Sequence, residues 1–480
     1  MFSALFGMLV LRNRFLFGTP IHELGDTGAN SILVNQAKHF ELLVGNYSRQ
    51  GFNHPGPAYF YIQAWGEWLF HDALHLVPTP WNGQVIALYA LNAALFATVT
   101  LIIARWTGSW AVAGFALLVM VALICYTPQI INNAWMPYVY VPSFLLFLVA
   151  CASVATGKGE HLWAVALAGG LLVNGHAVFL LFVPVTAAAA IWRHLRANPF
   201  VRRDWMVALA VLVPFLIPMV LNTIWHWPGE FGKYFGYGSS EHAGSRSLFR
   251  SMAYVYWYWW PTKIVWLALL GVPIVIAVIY AASRIREPFV RSGLVLGGLV
   301  TALLLFYAFA GIDHLGDPYM GFFYWGVPLF TVASFAIALR SRLERVHAAV
   351  PLAAVMLLML VVPGFRTITN DDEPSVPATL AALRSFSAGR PIVLEIADDD
   401  IGPELPGLLG WARRDGMRAC VRDERWSFMT TAEFICTASD LATGVVLTRV
   451  KVDRQAPGRP GEIARAGSTA LISGPAGVAS

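Results

Sequence analysis

Transfer of a group from a phosphorylated carrier needs a carboxylate to take a proton and a cation to hold the phosphate. A donor beside the leaving oxygen helps further. The loop 19–82 supplies all three in Glu23-Leu24-Gly25-Asp26, Tyr47-Ser48-Arg49 and Asn53-His54-Pro55-Gly56-Pro57. Asp26 or Glu23 is placed to act as general base on an acceptor hydroxyl, or to hold a divalent cation. Asp26 also precedes Thr27-Gly28-Ala29-Asn30 as an N-cap would, and the two roles are compatible. Glu23 lies one turn from Asp26 if that helix starts early. The planar guanidinium of Arg49 suits bidentate phosphate binding. His54 beside it can donate to a bridging or leaving oxygen. The plainer alternative is a rigid turn whose histidine faces water.

Further polar residues stand at the edges of apolar stretches. Asn132-Asn133-Ala134-Trp135 suits sugar hydroxyls and rings, although the same residues cap helices and that reading is preferred. Asp313-His314 and Asp317 either complete a cation or phosphate site with Asp26 or start the next helix. The segment with His226, Glu230, Lys233, Glu241, His242, Arg246 and Arg250 reads as a solvated loop; Lys233, Arg246 and Arg250 could receive a phosphate headgroup. His176 lies between two apolar half-spans, as an interior histidine or an intramembrane site.

These groups are embedded in a membrane protein. Of 480 residues, 57% are hydrophobic and 13% charged, where soluble domains carry about 25% charged. The formal charge of +5 comes from arginines clustered in short loops, a pattern of orientation signals that argues against nucleic-acid binding. A helix needs about 20 apolar residues to cross the bilayer. Spans are predicted at 83–105, 110–127, 137–156, 161–175, 177–192, 205–225, 263–283, 293–312, 320–339 and 348–365. Residues 1–17 read as a short first span, since Arg12 and Arg14 interrupt it and no cleavage site follows. That makes about eleven spans. Arg193, Arg196, Arg202 and Arg203, then Arg284, Arg286 and Arg291, then Arg340, Arg342 and Arg345 fall on one side, assigned to the cytoplasm. The loop 19–82, the loop 226–262, the turn 312–319 and the C-terminal region then face outward.

Within the first loop, Ile32, Leu33, Ala37, Phe40 and Val44 recur at helical spacing opposite Asn30, Asn35, Lys38, His39 and Glu41. This predicts an interfacial helix over 29–44. A second, rich in Tyr, Trp and Phe, is predicted over 58–70. After Pro363 the composition changes. Strands at 392–396 and 445–447 with helices at 376–388 and 404–415 predict a small α/β domain over 370–450. From 454 to 480 Pro, Gly, Ala and Ser dominate, which predicts a disordered tail. Cys125 and Cys151 fall in apolar spans; Cys420 and Cys436 could pair in an oxidising compartment.

This layout resembles the GT-C superfamily of polytopic membrane glycosyltransferases, which share many spans, an acidic motif in the first outward loop, two interfacial helices there and often an extracytoplasmic C-terminal domain. The matching features are Glu23 and Asp26, the segments 29–44 and 58–70, and the region 370–450. The resemblance implies a transmembrane domain over 1–366 with Asp26 or Glu23 as the catalytic carboxylate. It implies a polyprenyl-phosphate-linked sugar donor, hexosyl or pentosyl, with its headgroup held by Arg49, His54, Lys233 and Arg250. Asn53, Asn133, Asp313 and His314 would bind substrate. The acceptor would be an envelope glycan, lipid or protein outside the bacterial cytoplasmic membrane. Two residues separate Glu23 from Asp26, whereas many members have adjacent acids. A lipid-linked-glycan flippase and a non-enzymatic envelope-assembly protein are the competing readings. The first needs charges at mid-membrane, where only His176 and the Asn174-Gly175 break fit.

Overall fold

A computed structural model describes residues 1–239, 247–366, 375–453, 457–466 and 469–474. Among them, seven apolar helices are long enough to cross a bilayer: Pro80–Thr107, Met136–Ala155, Phe179–Ala197, Arg202–Trp225, Val265–Ser283, Pro288–Ala310 and Pro318–Ala338. Shorter apolar helices at Phe2–Arg12, Trp110–Ile124 and Ala349–Val361 occupy three more of the predicted positions, and Leu162–Gly175 occupies another. Local signals set the ends. Pro80 enters its helix in the first turn, where its missing N–H is not needed. Ser109 caps the next helix by accepting from the Val112 N–H at 3.3 Å.

Met136–Ala155 is the hub. It is almost wholly buried and packs against Pro80–Thr107, Leu162–Gly175, Phe179–Ala197, Pro288–Ala310 and Pro318–Trp325. Arg202–Trp225 and Val265–Ser283 differ: Leu209, Val213, Ile217, Ile274 and Ile276 are all exposed. Arg202–Trp225 packs one side on Leu162–Gly175, and the exposed apolar faces of both helices are suited to lipid.

The first loop carries two helices. The loop helix runs Gly25–Lys38, starting and ending earlier than the predicted 29–44. It stops where Phe40 takes φ 61. Of the predicted apolar face, Ile32, Leu33 and Ala37 are buried, but Phe40 lies past the helix end and is 76% exposed, and Asn30 of the predicted polar face is buried. The reason is that protein covers this helix on two sides. Leu33, Val34 and Ala37 join the apolar core of the membrane helices, whereas Ile32 joins the core of the C-terminal domain. The second helix, Ala58–Gly66, continues as a widened π-helical segment, Glu67–Ala73, leaving Trp65 and Trp68 exposed.

The C-terminal domain is a five-stranded sheet in the order β2-β1-β3-β5-β4. Its strands are β1 (Ile392–Ile396), β2 (Ala419–Val421), β3 (Val445–Lys451), β4 (Glu462–Ala466) and β5 (Thr469–Ser473). β2, β1 and β3 are parallel, and β5 runs antiparallel to β3 and β4. A parallel pair needs a crossover. Between β1 and β2 it is the helix Leu405–Arg414, here the domain helix. Leu408 and Leu409 of this helix share one buried core with Leu394 of β1 and Leu447 of β3, each contributing about 1.5–3 kcal/mol. Cys420 and Cys436 are joined by a disulfide. The expected disordered tail is corrected for β4 and β5. Its Gly, Ala and Pro content masked two short strands whose Ala470, Leu471 and Ile472 are buried against the sheet.

Candidate active site

Gly25 separates the two acidic residues. Leu24 is extended, Gly25 opens the loop helix in the left-handed region at φ 57, and Asp26 lies in the first helical turn. A residue with a Cβ is strained in that conformation. Glu23 therefore lies before the helix, and the two carboxylates hold different partners.

Asp26 is half-buried. One oxygen accepts a short hydrogen bond from the Tyr47 hydroxyl, and the other accepts from the Trp135 indole N–H at 2.9 Å. It does not cap its own helix, whose N-cap is Leu24. Instead it lies in the first turn, where the helix dipole favours a negative charge. Burial, and next the Asp26 charge, push the Tyr47 phenol well above its ordinary range, so it remains a donor. A carboxylate with two oxygens has about four acceptor positions. Two are filled here, which leaves capacity for a proton from substrate.

Arg49 stands at the tip of a hairpin-like loop. Tyr47 and Asn53 form an antiparallel bridge at its base, with Ser48 N–H donating to the Phe52 carbonyl at 2.9 Å. The Arg49 side chain is exposed, and among the described residues it makes no hydrogen bond or ion pair. Its charge bears on both Tyr47 and Tyr319. The Tyr319 ring lies 5.4 Å from that of Trp135, and Trp135 in turn holds Asp26. An open cation, a bound carboxylate and three aromatic side chains thus form one cluster. Phe428 of the C-terminal domain adds an edge contact to Tyr47 at 5.6 Å.

Glu23 is only 3% exposed. It accepts from the Trp411 indole N–H at 3.1 Å and lies 3.8 Å from Arg414, both on the domain helix. Burial raises its pKa, against the opposing pull of Arg414. Arg414 also reaches Glu67 at 3.4 Å, and Glu67 further holds Lys38 and Gln84, each at 2.9 Å.

The remaining predicted residues serve mainly structural contacts. His54 is buried and does not face water. Its Nδ1 accepts from the Ala177 N–H at 3.3 Å, and its ring lies 3.9 Å from that of His176. Burial first, and His176 next, hold its pKa well below the usual histidine value. The ring is neutral and turned inward, which departs from the phosphate-donor role expected of it. Asn53 donates its backbone N–H to Glu230 at 2.6 Å and accepts from Tyr234 at 2.5 Å. Lys233 is paired to Glu230 at 2.7 Å. The Arg250 side chain is exposed, and no contact joins it to Asp26. Asn133 accepts from the Trp135 N–H at 2.7 Å in the turn before Met136–Ala155, a helix that carries no side-chain cap, so the capping role preferred above is not seen. Asp313 accepts from Tyr237 at 3.2 Å, and its second oxygen is buried without a partner. His314 is exposed. Glu241, His242 and Arg246 lie outside the described residues. Among the described residues no three His, Cys, Asp or Glu side chains gather as a metal site.

Sequence reasoning quoted Tyr47 and Trp135 without linking them to Asp26, and it missed Tyr319 altogether. The aromatic residues in the turns at 47, 135 and 319 are the available signal.

No protein-family model matches the chain, and no curated protein matches it in sequence. Solved structures do. The chain is similar to ArnT from Cupriavidus metallidurans bound to undecaprenyl phosphate, at 14% identity and TM-score 0.58, covering 99% of this chain and 98% of that one. The apo structure of the same protein gives 13% identity and TM-score 0.60, covering 100% and 98%. The likeness runs the length of both chains, so this chain shares the overall fold of that protein.

Proposed function

We propose that this chain is a membrane glycosyltransferase that moves a sugar from a polyprenyl-phosphate-linked donor to an acceptor on the outer face of the membrane. The observation that carries this reading is the Asp26 cluster: a hydrogen-bonded carboxylate at a helix N-terminus beside the uncommitted guanidinium of Arg49, in a chain with the ArnT fold. ArnT has been seen with undecaprenyl phosphate bound, a ligand of the chemistry that Arg49 suits.

In this reading Asp26 takes the proton from the acceptor nucleophile as that atom bonds to the anomeric carbon. The bond from that carbon to the phosphate oxygen breaks, and its electron pair leaves with the polyprenyl phosphate. Arg49 stabilises the charge that builds on the departing phosphate, an effect that is usually the larger one. Tyr47 and Trp135 keep the carboxylate aimed. The flat faces of Trp135 and Tyr319 suit a sugar ring. The acceptor is an envelope glycan, lipid or protein, and the disulfide in the C-terminal domain supports an oxidising, outward location.

The test is transfer by the purified, reconstituted chain from labelled polyprenyl-phosphate sugars to envelope extracts, with and without chelator. Label moving to an acceptor supports the reading. Lipid-linked sugar crossing the vesicle membrane without bond cleavage would favour a flippase. Loss of transfer with chelator would bring a divalent cation into the site.

A further inference from the structure

The functional cluster leaves unexplained the contact between the first turn of the loop helix and the domain helix. That contact is unusually close. A Cβ on Gly28 would lie 2.7 Å from the Gly407 nitrogen and 2.8 Å from its Cα. A Cβ on Gly407 would collide with the Glu23 carbonyl and lie 2.8 Å from the Leu24 side chain. Two backbones therefore touch at the turn that carries Asp26, and each position tolerates only glycine without a shift.

A second and independent feature fixes the same place. Glu23, three residues before Asp26, is held by the Trp411 indole at 3.1 Å, and the Trp411 ring packs on His22 at 4.4 Å. Arg414, one turn further, lies between Glu23 and Glu67. A cavity of about 170 Å³ lies along this seam, lined by Glu23, Gly28, Ser31, Gly407 and Arg414 among others. A cavity of this size has room for several waters, and charged Glu23 and Arg414 line it.

We infer that the domain helix is a positioning element for Asp26: Gly407 against Gly28, and Trp411 through Glu23, set the first turn of the loop helix and so the direction of its carboxylate. The C-terminal domain is then part of the catalytic unit. This rests on Asp26 being the base, and Glu23, Gly407 and Trp411 act through it without touching substrate. Misplacement of a reacting group by about 1 Å can cost about 100-fold in rate.

The experiment makes Gly407→Ala, Trp411→Phe and Glu23→Ala in the full chain, with Glu23→Gln as the conservative variant that keeps an acceptor for the Trp411 N–H. Three readouts are taken: steady-state transfer, the stoichiometry of polyprenyl phosphate bound, and amide hydrogen exchange over residues 25–31. The expected result is kcat down about ten- to 100-fold with donor KM and binding stoichiometry unchanged. Exchange rises over 25–31 but not in β1–β3, and Glu23→Gln restores kcat. Unchanged kcat and unchanged exchange would overturn the positioning role while leaving the functional reading intact. Lowered binding stoichiometry in proportion to kcat would overturn it too, as simple loss of folded protein. Absence of transfer by the unaltered chain, with exchange still rising in the variants, would overturn the catalytic part and identify the failure as that of the functional reading.

Discussion

Glu23 and Asp26 are both acids of one short motif, yet they inhabit opposite environments. Asp26 is half-buried and held by two neutral donors, and the nearby Arg49 makes no ion pair among the described residues. Glu23 is sealed between the loop and the C-terminal domain, where Trp411 and Arg414 already use it. One glycine in the left-handed region turns the chain between them. Acidity alone therefore does not separate the proposed base from a structural acid. What separates them is unused bonding capacity in an accessible place.

If the Glu23 side is a closed seam, breaking it costs stability. Glu67 is 2% exposed and is shared by Lys38, Gln84 and Arg414, so Glu67→Ala leaves the partly buried Lys38 and Arg414 with one carboxylate each, Asp72 and Glu23. Loss of about 1.5–3 kcal/mol is expected, read as a lowered melting temperature in detergent. An unchanged melt would show that the seam is not closed.

If the Asp26 side is open, its cation is free to bind. Arg49→Ala should remove a charge-assisted contact of about 1.5–3 kcal/mol, raising the donor KM without shifting the melt. A changed melt with constant KM would make Arg49 structural.

The smallest effect is expected at His54, which pins the first loop to the turn at 176–178. Its folded pKa is depressed, so the stability it supplies is present above the unfolded value of about 6.5. That stability is lost as pH falls toward the folded value, by at most about 1.4 kcal/mol per pH unit. Melting between pH 8 and 5 should decline more in the wild type than in His54→Gln. Parallel declines would remove His54 from the account.

The sequence makes one of these environments far easier to read than the other. Long apolar runs mark Pro80–Thr107 and Met136–Ala155, because a bilayer demands unbroken hydrophobic length. Asp26 and Arg49 stood out because charges are scarce in this chain. Glu23 could not be assigned, since its partner Trp411 lies 388 positions away and no local pattern encodes that pairing. Asn30 misled for a related reason. Helical spacing gives the number of faces but not how many are covered, and the C-terminal domain covers a second one. The strands β4 and β5 were hidden because small residues signal disorder unless a sheet edge is there to receive them.

The most direct test of the account compares Asp26→Asn with Glu23→Gln, both checked for folding and for binding of polyprenyl phosphate. Both substitutions remove a charge and keep the shape. The account predicts that Asp26→Asn loses transfer about 100-fold or more, while Glu23→Gln stays close to the wild type. Near-normal transfer by Asp26→Asn, or equal losses in the two, would contradict it.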